Sequence, residues 1–111
     1  MAYPKLTDEP GAVALAAQLR GGELSPIEAV EAALARIEDV DAPINAIAVA
    51  DFDRARETAQ GMTAPGPEQP LWGVPMTVKE SFDVAGLPTS WGHERYKGSI
   101  AARDARVIAR L

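Results

Sequence analysis

Apolar residues along the chain follow two rhythms. Val13, Leu15, Ala16, Ala17 and Leu19 gather on one side of a helix predicted over about residues 8–20, which Gly21 and Gly22 stop. Ser25-Pro26-Ile27-Glu28 is the sharpest local signal: Ser25 suits an N-cap, Pro26 the first helical position, and Glu28 closes a capping box. The helix it opens is predicted over about residues 26–38, where Ile27, Val30, Leu34 and Ile37 recur on one face. A third helix is predicted over about residues 52–60, with Asp51 as cap and Asp53 and Glu57 toward its positive end.

The second rhythm is alternation. Ile44, Ala46 and Ala48 set against Ile47 and Val49 predict a short buried strand within 44–50. Residues 61–70, with Pro65, Gly66, Pro67 and Pro70, read as a loop because proline lacks the amide that a regular ladder needs. A strand is predicted over about residues 73–79, with Pro75 placed at its start or on an unpaired side. From Asp104 onward Val107, Ile108 and Leu111 share one face of a final predicted helix. Arg103, Arg106 and Arg110 share another, and a solvated face is their ordinary reading.

Composition narrows the picture. With 111 residues and 47% of them hydrophobic, the chain has the make-up of one small globular domain rather than of a disordered segment. A formal net charge of -5 disfavours a nucleic-acid platform, which needs clustered basic residues. Cysteine is absent, so disulfides and thiolate zinc sites are excluded. No run approaches the roughly 20 apolar residues that span a bilayer, and the start, with Lys5, Asp8 and Glu9, does not resemble a signal peptide. These features set an expectation of a cytoplasmic address, with no membrane and no nucleic-acid partner.

Lys79 closes the strand predicted at 73–79 and is followed by Glu80, Ser81, Phe82 and Asp83. A lysine at a strand end is, by itself, most often a solvated surface residue. Its surroundings carry more. The run from Leu71 through Gly73-Val74-Pro75, Lys79-Glu80 and Gly86-Leu87-Pro88-Thr89 to Gly92 resembles the catalytic-lysine segment of the amidase signature family. Gly22-Glu23-Leu24-Ser25, Asn45-Ala46 and Asp104-Ala105-Arg106-Val107 are similar to other landmarks of that family, so the resemblance covers nearly the whole sequence.

The resemblance implies an α/β fold whose leading helices pack beside strands of a larger mixed sheet, residues 1–111 forming the N-terminal portion of a single amidase domain. It implies a Ser-cisSer-Lys triad that hydrolyses a small-molecule carboxylic amide, or transfers its ammonia, through an acyl-enzyme, with no cofactor and no metal. Lys79 maps onto the triad lysine. The family's two serines lie in a Gly/Ser-rich segment that these residues lack, and none of Ser81, Ser90 and Ser99 stands in such a context. The expectation is therefore a piece of a longer enzyme, inactive alone. The alternative is a non-catalytic α/β binding module in which Lys79 is structural.

Other candidates read more plainly. Glu80 and Ser81 stand where many relatives have Asp and Asn, and their roles stay open. Asp83 is read as pairing with a nearby cation or capping the turn, the second being what Asp commonly does, and His93, the only histidine, as structural or surface, since it has no Ser or Asp partner at a recognisable spacing. Trp72 and Trp91 are read as packing or rim aromatics.

Overall fold

In the computed structural model, which describes residues 10–111, α1 covers Ala12–Arg20. The part of the first predicted helix at Asp8 and Glu9 lies outside the described residues. The two glycines finish α1 with a Schellman motif: Gly22 takes φ +74°, its amide reaches Leu19 O at 3.2 Å, and the Glu23 amide reaches Gln18 O at 3.0 Å. A side chain at Gly22 would oppose that left-handed turn.

Helix α2 covers Pro26–Val40 and α3 covers Phe52–Gly61. At the start of α2 the Ser25 amide and hydroxyl both donate to Glu28 Oε2, at 2.8 and 2.6 Å, while the Glu28 amide lies 3.4 Å from Ser25 Oγ. These contacts satisfy amides that the first helical turn leaves without partners. They also hold the Glu28 carboxyl below the ordinary glutamate range, Ser25's hydroxyl being the larger cause.

The described chain divides into two compact units, one of the residues up to Ala35 with Asp53–Pro75, the other of Arg36–Phe52 with Met76–Leu111. The first unit holds the core: Leu19, Ala29, Val30 and Ala59 are buried, together with Pro26. Burying a leucine fully is worth about 1.5–3 kcal/mol, and Leu19 is 2% exposed. Arg56 of α3 straddles Glu31 of α2, Nε to Oε1 at 2.7 Å and Nη2 to Oε2 at 3.3 Å. Arg20 donates to Gln69 O at 2.5 Å, and Gln69 Oε1 in turn accepts the Gly66 amide at 2.8 Å. The Pro/Gly-rich loop is thereby tied to the end of α1.

The second unit departs from the sequence expectation. Among the described residues no β-strand forms, so the strands predicted at 44–50 and 73–79 and the larger mixed sheet are not seen here. At 44–50 the alternation loses to Asp41, whose carbonyl accepts the Ile44 and Asn45 amides and whose carboxylate accepts the Ala46 amide at 2.8 Å. Asn45 turns to φ +53°, a conformation in which its short polar side chain is tolerated. Residues 74–79 have no ladder partner among the described residues, and Pro75 has no amide to offer one.

The helix predicted from Asp104 is replaced by turns and one short 3-10 turn, Ile108–Arg110. The Asp104 carboxylate is engaged by the Ala85 amide at 2.7 Å, and the Ala105 amide by Asp83 O at 2.8 Å. Beyond Ala109 the amides of Arg110 and Leu111 reach back only three residues, to Val107 O and Ile108 O, the tighter 3-10 spacing. Large apolar side chains of this unit stand open to solvent, among them Met76, Val78, Phe82, Trp91, Ile100 and Leu111.

Candidate functional site

Lys79 lies at the end of the irregular run 74–79 and is exposed. Its carbonyl accepts the Phe82 amide at 2.9 Å, so the chain turns directly after it. That turn aims the neighbouring Glu80 toward a second turn ten residues on. Glu80 Oε1 accepts the Ser90 amide at 2.5 Å and Oε2 accepts the Trp91 amide at 2.8 Å.

The receiving turn is unusual. The His93 amide closes on Ser90 O at 2.9 Å, and both central residues have positive φ, Trp91 at +58° and Gly92 at +68°. Two positive φ values mark a type I′ turn, whose first central position ordinarily belongs to Asn, Asp or Gly. Here a tryptophan occupies it, 72% exposed. Ser90's amide and then its hydroxyl, followed by the Trp91 amide, hold the Glu80 carboxyl below the ordinary glutamate range, with the Lys79 charge adding to the same effect.

Backbone pairing supports this turn from the far side. Gly86 and Thr89 donate to Ala101 O and Ser99 O, and Ala101 donates back to Leu87 O, around a single antiparallel bridge between Pro88 and Ile100. Gly86, at φ +82°, allows the reversal that brings the Leu87 amide to Val84 O at 2.9 Å. Asp104 and Asp83 then fasten one end of this double run, where Ala85 and Ala105 lie, the other end being the Thr89–Ser99 contact. Beside it an open hollow of about 410 Å³ is lined in part by Asp83, Thr89, Trp91 and Tyr96, and the buried Thr89 Oγ1 has no hydrogen-bond partner among the described residues.

The sequence candidates fall as follows. Lys79 and Ser90 are linked through Glu80, a role that adjacency to the lysine did not reveal. Ser99 lines the hollow, whereas Ser81 follows Glu80 in the turn after the lysine. His93 Nδ1 accepts the Arg95 amide at 3.2 Å and so caps the 3-10 turn Glu94–Tyr96, and its ring lies 5.6 Å from that of Tyr96. Trp72 belongs to the first unit and Trp91 to the second. Asp83 acts through its main-chain carbonyl in fastening the double run. Among the described residues no group of histidine and carboxylate side chains is placed to hold a metal ion, and no helix is long and apolar enough to cross a membrane.

Comparison with known proteins gives the geometry a context. The family model described as Amidase matches residues 28–111. The chain is 40% identical over 104 residues to AmiB2 of Mycobacterium tuberculosis, covering 91% of this chain and 22% of that protein. It is 41% identical over 96 residues to AmiC of Mycobacterium bovis, covering 86% and 20%. Both are provisionally named amidases. A glutamyl-tRNA(Gln) amidotransferase subunit of Oleidesulfovibrio alaskensis is 36% identical over 98 residues, covering 86% of this chain and 20% of that protein. The chain thus spans about a fifth of the length of these curated relatives.

Proposed function

The chain belongs to the amidase family, and we propose that the whole protein cleaves the C–N bond of a small carboxylic amide or passes on its ammonia, with Lys79 as the proton-accepting member of a Ser-cisSer-Lys triad. What carries the reading is the run Gly73-Val74-Pro75 to Lys79-Glu80, which lies inside the span matched by the family model. The relatives on either side of the hydrolase and amidotransferase divide support the amide C–N bond as the common target.

The chemistry assigns the lysine a definite task. A serine hydroxyl becomes a nucleophile when its proton has somewhere to go, and a free amine is an acceptor of suitable reach. Removal from water favours the uncharged amine. Lys79 is exposed among the described residues, so the reading requires that further parts of the whole protein cover it. The bridging serine and the nucleophile belong to those parts too, and residues 1–111 alone are proposed to be inactive. A cytoplasmic address goes with this reading.

The test is made on the whole protein, scoring ammonia release from a panel of aliphatic and aromatic primary amides that includes glutamine. Lys79→Ala is expected to lower kcat by about a hundredfold or more, the scale of losing a proton-transfer group. Unchanged turnover in Lys79→Ala would remove the lysine from the mechanism and leave a structural role.

A further inference from the structure

We infer that Glu80 is a positioning residue for Lys79, because its carboxylate ties the residue beside the lysine to the Ser90 and Trp91 amides of a type I′ turn ten residues away. This inference rests on the proton-acceptor role proposed for Lys79.

The geometry argues for a clamp and against a direct chemical role. Both carboxylate oxygens are engaged, one on each of two successive backbone amides, bonds that favour the ionised form and would be weakened by protonation. Hydrogen bonds to an ionised acceptor are shorter and stronger than neutral ones. Glu80 is half-buried, and the bond to Ser90 is partly shielded from water. The backbone on either side of the carboxylate is therefore held in register: the Lys79 carbonyl is fixed by Phe82, and the Ser90 carbonyl by His93.

The receiving turn explains why a charged clamp is needed. Trp91 at φ +58° is a bulky residue in a region that L side chains avoid. Only contacts made in that conformation keep it there, and the Trp91 amide is aimed at Glu80 by it. Without the carboxylate, the Ser90 and Trp91 amides lose their acceptor and the turn loses the contact that favours its left-handed form. Lys79, the residue immediately before Glu80, is then free to shift. Asparagine or aspartate in place of Trp91 would adopt the turn unaided. The pairing of Trp91 with Glu80 makes the lysine segment and the turn depend on each other.

A double-mutant cycle in the whole protein tests this, with the same amide panel, kcat and KM measured separately and thermal unfolding as a fold control. Glu80→Ala is expected to lower kcat about tenfold or more with KM changed less than about twofold, the signature of lost transition-state geometry. Glu80→Gln, which keeps one acceptor oxygen in place, is expected to fall between wild type and Glu80→Ala and guards against a variant that fails to fold. In the Lys79→Ala background, Glu80→Ala is expected to lower the residual rate by less than about twofold, since a residue acting through the lysine has nothing left to position. Equal losses in the two backgrounds, or a Glu80→Ala enzyme with wild-type kcat, would overturn the inference while leaving Lys79 in its role. Unchanged turnover in Lys79→Ala would instead sink the lysine assignment, and this inference with it.

Discussion

Gly73 lies against Pro26 so closely that a Cβ added to it would stand 3.1 Å from Pro26 Cγ, with Leu19 Cδ2 at 3.3 Å. Its φ is +76°, so backbone and packing both call for glycine at this position. The first residue of the Gly-Val-Pro run is therefore a seat for the start of α2. Gly73→Ala is expected to destabilise the protein by about 1–2 kcal/mol from the left-handed backbone alone, with further loss from the overlap. Denaturant unfolding monitored by tryptophan fluorescence measures it, and a loss under about 0.5 kcal/mol would contradict the packing described.

Leu19→Ala addresses the core directly. Leu19 is 2% exposed, and truncating a leucine so enclosed costs roughly 2–5 kcal/mol, depending on how far the surroundings close over the space. Val13, 86% exposed on the same helix, is the internal comparison: Val13→Ala is expected to change stability by less than about 0.5 kcal/mol. Parallel urea titrations of the two variants give the contrast.

Acid sensitivity follows from three carboxylates. Glu28, Glu31 and Glu80 are each held below the ordinary value of 4.5, by Ser25, by Arg56 and by the Ser90 amide respectively. A carboxyl with a lowered folded-state pKa stabilises the fold when ionised in both states, above the unfolded value, and that contribution disappears as pH falls through the folded one. Thermal midpoints are thus expected to stay level, as far as these groups are concerned, from neutrality down to about pH 4.5 and to drop below it. Glu28→Gln and Glu80→Gln, lacking the titrating groups, are each expected to show a shallower acid limb.

Asp104→Ala probes the fastening of the double run 84–89 and 99–105. It removes the acceptor of the Ala85 amide at 2.7 Å, a loss of about 1 kcal/mol for a solvent-accessible hydrogen bond. Faster hydrogen exchange of the Ala85 amide, with little change at Ala29 in α2, is the expected local readout. Equal acceleration at both positions would indicate that Asp104 supports the fold as a whole.

What could be read in the sequence was local. The Ser25–Glu28 box and the paired glycines after Arg20 each act within a few residues, and the structure shows hydrogen bonds at both. Strands are statements about partners: residues 74–79 take no regular structure, and no facing segment among the described residues pairs with them. The alternation at 44–50 was misleading because Asp41, three residues ahead of it, supplies acceptors that bend the chain. At the site, the run around Lys79 could be read as a family likeness, while the span from Glu80 to Ser90 and Trp91 left no signal in spacing. Gly92 was the only hint of the left-handed turn, and nothing marked Trp91 as its other half.

The hold of Arg20 on Gln69 has a practical bearing on how the chain would be nicked. A protease must draw a stretch of backbone out straight into its cleft, and residues 62–70, irregular and outside any helix, would ordinarily be the place to start. Here the Gln69 carbonyl is held by Arg20 and the Gly66 amide by the Gln69 side chain, so straightening the loop means first letting go of the end of α1. The same guanidinium is the feature trypsin looks for. While Arg20 is occupied with the loop, its own peptide bond and the loop are guarded by one contact.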